Sequence, residues 1–189
     1  MGALTARLAS GNPHKLVELR RALPGWSIEL VEAGGREPPQ ETGATFLENA
    51  RVKARFAREL AAAEEWALGE DSGIEAAGLG GRPGIESARW ADDGVARLLA
   101  ELEGVPDRRA RYVCELVALS PAGEELRARG TLAGAVAAAP RGSEGFGYDP
   151  IFVPAGETLT VAELGDDWKR VHSHRARAAA ALARQLAAR

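Results

Sequence analysis

ARYVCELVALSPAGEELRARGTLAGAVA (110–137) is the stretch on which the fold turns. Residues 110–120 and 124–137 read as two long strands, and Ser-Pro-Ala-Gly (120–123) joins them as a hairpin turn. Working toward the N-terminus, residues 93–103 carry Val95, Leu98, Leu99 and Leu102 at the spacing of an amphipathic helix. Residues 78–91 are Gly-rich and irregular. Residues 66–69 and 73–77 read as short strands flanking Glu70-Asp71-Ser72. Thr45 and Glu48 make a Thr-x-x-Glu capping signal. The helix it opens has the stripe Phe46, Ala50, Ala54, Ala57, Ala61. A Gly/Pro-rich loop (34–43), a strand (26–31), a helix from Pro13 to Leu23 and a first strand (3–9) precede it. Toward the C-terminus come a Gly-rich loop (140–150), a short strand (151–153) and two helices over 160–188. Strands interleave with helices, yet an antiparallel hairpin sits among them. The class is α/β with a mixed sheet.

The chain has 189 residues, enough to bury a sizeable core without a disulfide or a metal. Hydrophobic residues are 46% and charged residues 27%, which excludes a disordered chain. The 24 basic and 27 acidic residues leave a net charge of −3, which argues against a nucleic-acid-binding protein. One cysteine, Cys114, excludes a disulfide framework and a multi-cysteine zinc site. In an apolar strand it reads as core. His14, His172 and His174 are too scattered for zinc. No apolar run reaches the roughly 18 residues of a membrane helix, and the N-terminus lacks a secretory pattern. A cytoplasmic protein with no membrane partner is expected. Lysine is rare: Lys15, Lys53 and Lys169 stand against 21 arginines. Asparagine is as rare, with Asn12 and Asn49. Coding bias toward Arg and Ala explains the drift but not which positions escaped it.

Four segments carry candidate chemistry. Ser10-Gly11-Asn12-Pro13-His14-Lys15 is a strand-to-helix turn. It reads either as an anion site, with free N–H groups and Lys15 facing a phosphate, or as an N-capped helix with a surface lysine. Glu41 and the adjacent Glu70-Asp71 offer the oxygen ligands that magnesium prefers. Neighbours on an extended chain point to opposite sides, so one carboxylate can hold metal while the other activates water. The alternative is a solvated acidic turn. Gly145-Phe146-Gly147-Tyr148-Asp149-Pro150 sets two aromatics between glycines, as a stacking platform for a base or as a turn whose rings enter the core. Lys169 with Ser173-His174-Arg175 offers donors for base carbonyls or phosphates, or else a solvated helix face. No G-x-S-x-G elbow is present, which disfavours acyl transfer.

In this order and spacing, SGNPHKLVELRRAL (10–23), ETGATFLENARVKA (41–54), GEDSGIEAAGLGGRPGIESARWA (69–91), RARYVCELVAL (109–119) and the run from Pro140 to Ala178 closely resemble the Ham1-like, or inosine triphosphate pyrophosphatase, family. The resemblance covers nearly the whole chain, and EDSG with GFGYDPIF and SHR carries its specificity. It implies an elongated two-lobed α/β fold around a long mixed sheet, with no separable linker across 1–189 and the active-site cleft between the lobes. It implies magnesium-dependent hydrolysis of dITP, ITP and XTP to the monophosphate and pyrophosphate, by a homodimer. Residue by residue, it implies Asp71 as general base and Glu41, Glu70 and Asp71 as metal-holding. It places Ser10, Gly11, Asn12, Pro13, His14, Lys15 and Lys53 around the triphosphate. Ser72, Phe146, Gly147, Tyr148, Asp149, Lys169, His174 and Arg175 fall around the nucleoside. Departures are Glu70 where bacterial members usually carry Asp, Arg170 where Asn is common, and Pro13-His14 for a commoner small-residue pair. Two other readings stay open: a pyrophosphatase of different base preference, and a nucleotide-binding protein without turnover.

Overall fold

The computed structural model describes residues 4–188. Ala3, which the expected first strand includes, lies outside them. The elements are β1 (Leu4–Ala9), α1 (Pro13–Ala22), β2 (Trp26–Leu30), α2 (Phe46–Leu60), β3 (Trp66–Ala76), α3 (Gly94–Glu101), β4 (Arg109–Leu119), β5 (Glu125–Val136), β6 (Phe152–Pro154), α4 (Val161–His172) and α5 (His174–Ala187). The sheet order is β2-β1-β3-β4-β5-β6. β1 runs parallel to both β2 and β3, while β5 and β6 are antiparallel. The sheet is therefore mixed. Among the described residues, no helix is long and apolar enough to cross a membrane.

Local signals set the helix starts. Pro13 occupies the first turn of α1, where its missing N–H costs nothing, and the Asn12 side chain accepts from His14 N–H at 2.9 Å. Thr45 caps α2 by accepting from Glu48 N–H at 3.2 Å. The reciprocal half differs from expectation: Glu48 reaches one residue further back, to Ala44 N–H at 2.7 Å. A complete capping box, Thr160 with Glu163, opens α4.

One correction bears on the site. The two short strands expected at 66–69 and 73–77 are a single strand, β3, running straight through Glu70-Asp71-Ser72. The acidic pair is buried inside a strand, so the solvated-turn reading fails. A carboxylate can occupy a buried strand when cations from neighbouring elements neutralise it, and both do so here.

The chain divides into two compact units. The first comprises the chain up to Asp71, Cys114–Gly130 and the chain from Arg175 onward. Period-2 alternation sorts its core into two faces. Leu8, Leu68, Cys114 and Leu116 pack with Leu19 and Leu23 near α1 and with Ala178 and Leu182 of α5. The opposite face carries Ala9 and Ala67 with Phe56 and Ala57, and Val117 with Ala50 and Ala54, all against α2. The second unit, Ser72–Val113 with Thr131–His174, closes around Ile74, Leu98, Tyr112, Leu132, Tyr148, Ile151 and Phe152.

Gly69 fixes how near α2 comes to β3. A Cβ there would lie 2.1 Å from Ala50 O and 2.3 Å from Ala54 N, so only glycine lets helix and strand backbones touch. That contact brings the residues just before Ala50 and Ala54, Asn49 and Lys53, over Asp71.

Candidate active site

The parallel register builds the first half of the site. Ala9 pairs with Gly69, so β1 ends level with Gly69 while β3 runs on, and the acidic pair stands just past the carboxyl-terminal end of β1, beside the turn that follows it. The carboxyl ends of parallel strands are where open α/β sheets place ligands. Ser10 Oγ accepts from Asn12 N–H at 3.1 Å and tightens the turn. Gly11, Pro13 and His14 are exposed, and Lys15 reaches inward.

Alternation sends Glu70 and Asp71 to opposite faces of β3, as expected. Glu70 is fully buried toward α1 and α5. Arg175 donates to its Oε1 from Nη2 at 2.9 Å and from Nε at 3.2 Å; Cys114 Sγ lies 3.3 Å from the same oxygen. Lys15 Nζ is 2.7 Å from Oε2. Arg175 also pairs with Glu18 of α1. Burial works against the Glu70 charge, but Arg175, Lys15 and Lys53 together hold the carboxyl well below its usual range. Burial pushes the Cys114 thiol well up, so it is an inert donor.

Asp71 faces α2. Lys53 donates to its Oδ1 at 2.8 Å, and Asn49 Nδ2 to its Oδ2 at 3.1 Å. Lys53 also bonds the Glu70 carbonyl at 3.1 Å and pairs with Glu41. For Asp71 burial outweighs Lys53, and its pKa is raised. Burial opposes the Lys53 charge, but Asp71 and Glu41 prevail and keep it firmly protonated. Two adjacent carboxyls are thus driven in opposite directions, the arrangement that separates a fixed anion from a base.

The second unit carries a different cluster. Asp149, 4% exposed, accepts from Tyr112 Oη at 3.1 Å, Lys169 Nζ at 2.6 Å and Phe146 N–H at 2.9 Å. It pins the loop to α4. Gly145 makes this possible: its φ is +78°, and a Cβ would fall 2.2 Å from Asp149 Oδ2. Lys169 Nζ stands 4.7 Å from the Phe146 ring centroid, a cation–π distance. The His174 ring stacks on Tyr112 with centroids 4.6 Å apart. Gly147, at φ +60°, is exposed, Phe146 is half-buried and Ser72 is partly buried.

Two side chains stand elsewhere than the sequence reading put them. Tyr148 is in the second unit's core with its hydroxyl on Ser87 O at 3.0 Å, so Phe146 alone of the loop aromatics is a stacking surface. Arg175 lies with Glu70 and Glu18, because a buried carboxylate demands a buried cation and Arg175 supplies it. Glu18 and Tyr112 carry no signal in the sequence, and Asn49 stands out there only by its rarity, as one of two asparagines, and by its place four residues before Lys53 on the same helix face.

Among the described residues, no three His, Cys, Asp or Glu side chains converge as a metal cage. Magnesium needs none, being held commonly by one or two carboxylates plus substrate phosphates. Glu41 and Asp71 meet on one cation already, the Lys53 ammonium. The donor set, all carboxylate oxygen, fits a hard divalent ion.

The sequence profile of the Ham1 family matches residues 6–185. A dITP/XTP pyrophosphatase of Symbiobacterium thermophilum is 46% identical, over 96% of this chain and 94% of that protein. One of Bdellovibrio bacteriovorus is 41% identical, over 95% and 96%. The solved structure of the Staphylococcus aureus Ham1 protein superposes with a TM-score of 0.84 at 33% identity, covering 97% of this chain and 98% of that one.

Proposed function

The chain belongs to the Ham1 family, and we propose that it hydrolyses dITP, ITP and XTP to the nucleoside monophosphate and pyrophosphate, clearing non-standard purines from the nucleotide pool. The observation that carries this reading is the opposed pair in β3, one carboxyl held ionised and its neighbour raised, beside Lys15 and Lys53 just past the carboxyl-terminal end of β1.

Each residue then has a role. Asp71 takes a proton from water as the water oxygen attacks the α-phosphorus. The bond from that phosphorus to the bridging oxygen breaks, and pyrophosphate departs with the electron pair. Lys15, Lys53 and the N–H groups of the 10–15 turn neutralise the charge that collects on it. Glu41 and Asp71 are the residues that would hold magnesium; Glu70, buried on the other face of β3 with its oxygens taken by Arg175 and Lys15, adds charge rather than a ligand oxygen. Bound there, the ion supplies neutralisation of phosphate oxygens. The family resemblance supports magnesium as the metal, a homodimer, one catalytic domain and a cytoplasmic location.

Base recognition belongs to the aromatic cluster of the second unit. Phe146 offers a face for stacking, and Lys169 and His174 offer donors for the 6-oxo group of hypoxanthine and xanthine. Adenine presents an amino group there, and a site built on a hydrogen bond rejects such a mismatch strongly. Asp149 holds Phe146 and Lys169 in place. Phe146→Ala is expected to raise KM for ITP roughly 5- to 150-fold, the equivalent of about 1–3 kcal/mol of base stacking, with a smaller change in kcat. Equal losses in kcat at unchanged KM would remove Phe146 from ground-state binding.

The function is tested by pyrophosphate release with magnesium on ITP, XTP, dITP, dUTP, ATP and GTP. The expected result is kcat/KM for the first three at least roughly 10²-fold above ATP; guanine shares the 6-oxo group, so discrimination against GTP rests on the 2-position. Preference for dUTP would make it a pyrophosphatase of different base choice. Binding without turnover would make it a nucleotide sensor.

A further inference from the structure

Beyond the side chains that face substrate, we propose that Asn49 is a positioning residue that clamps the Asp71 carboxylate and the Glu41-bearing segment to the same helix turn. The inference rests on the role of Asp71 given above. Asn49 is fully buried in α2, an uncommon place for an amide that a core position does not need. Both ends of its amide are used. Oδ1 accepts from Gly43 N–H at 2.8 Å, and Nδ2 donates to Asp71 Oδ2 at 3.1 Å.

Chemistry fixes which end is which. A backbone N–H only donates, so it must meet Oδ1, and an ionised carboxylate only accepts, so it must meet Nδ2. The amide cannot rotate without setting N–H against N–H and oxygen against carboxylate. Asp71 is therefore held at Oδ1 by Lys53 and at Oδ2 by Asn49, which fixes the plane of its carboxylate. Gly43 is two residues after Glu41. The same amide thus ties the Glu41 segment to Asp71. A cation such as Lys53 strengthens the anion but lowers its basicity. The neutral Asn49 amide orients it at a smaller cost in basicity.

Asn49→Ala removes both bonds, and Asn49→Asp keeps the acceptor for Gly43 while turning the contact with Asp71 into a repulsion. The experiment measures kcat and KM for ITP and the melting temperature of both variants, in wild-type and Asp71→Asn backgrounds. Asn49→Ala is expected to lower kcat about 10- to 100-fold, the usual effect of losing a residue that orients a catalytic group, with KM within about threefold. Asn49→Asp is expected to lose at least as much, although it retains the Gly43 bond, and it serves as the second probe if the alanine variant folds poorly. In the Asp71→Asn background both losses should shrink to less than about threefold, because Asn49 acts through Asp71. Losses that multiply undiminished in that background, or an Asn49→Asp variant at wild-type kcat, would overturn the proposal. Failure of the underlying reading looks different: there Asp71→Asn itself keeps its activity.

Discussion

Asp71→Asn is expected to lower kcat for ITP hydrolysis by about 10²–10⁴-fold, the usual contribution of a positioned general base. The substitution is nearly isosteric and removes the capacity to take a proton together with the carboxylate charge that Lys53 meets and magnesium would meet. Its surroundings make the result readable. Lys53 loses a counter-ion but keeps Glu41 and the Glu70 carbonyl, so the ammonium stays partnered. Glu70 is untouched on the other face of β3, where Arg175 and Lys15 hold it. One cost is built in. Lys53 and Asn49 both donate toward position 71, and an amide can accept at only one of its two ends. One donor pair is left opposed, at about 1–3 kcal/mol of stability. A melting temperature a few degrees lower is therefore expected and does not account for the rate. KM should move far less than kcat, since Lys15 and the turn after β1 are intact. A variant within about threefold of wild-type kcat would take the proton-accepting role away from Asp71.

Much of this was open to inspection in the sequence, for identifiable reasons. The hairpin at 110–137 and the capping signals are local, and β4, β5 and α2 form where those signals put them. The rare lysines are informative because in an arginine-rich chain each retained lysine marks a position where a compact ammonium matters. Lys53 and Lys169 are each wedged between a buried aspartate and a second partner, and Lys15 reaches Glu70. What the sequence concealed were long-range pairings. Arg175 is 105 residues from Glu70, and nothing local shows that a guanidinium near the C-terminus neutralises a strand carboxylate. For the same reason the sequence pattern breaks β3 in two: two acids mid-strand look like a turn until their cations are known. For Tyr148 the flanking glycines leave a stacking platform and a core ring equally open; its ring fills the second core and its hydroxyl donates to Ser87 O. Glycine spacing specifies the backbone path, not the side of the loop on which a ring falls.

Arg175→Met is expected to destabilise the protein by about 3–5 kcal/mol at neutral pH, the penalty of leaving a buried carboxylate without its principal cation. Methionine replaces much of the arginine's apolar length, so the loss is electrostatic more than steric. Arg175 is 1% exposed, and Glu70, which has no exposed surface, cannot recruit water in its place. Glu18 loses its pairing with Arg175 as well, but it lies nearer the surface. The pH dependence gives the sharper readout. In the wild type Glu70 is held well below its ordinary pKa. Its contribution is complete above the pKa of the unfolded chain and is lost as the pH falls through the folded value. In the variant, burial is expected to outweigh the remaining Lys15 and Lys53 and to move the carboxyl above its unfolded value. The folded variant then binds a proton more readily than the unfolded chain. The penalty is greatest at neutral pH and shrinks as the pH falls through the raised value. Denaturant unfolding at pH 7.5 and near pH 5 measures both slopes. The gap between variant and wild type should narrow by at least about 1 kcal/mol at the lower pH, one tenfold step of proton linkage being about 1.4 kcal/mol. A gap that stays constant across that range would mean Arg175 supports the fold by packing alone. It would also return the arginine to the question of what else it could hold.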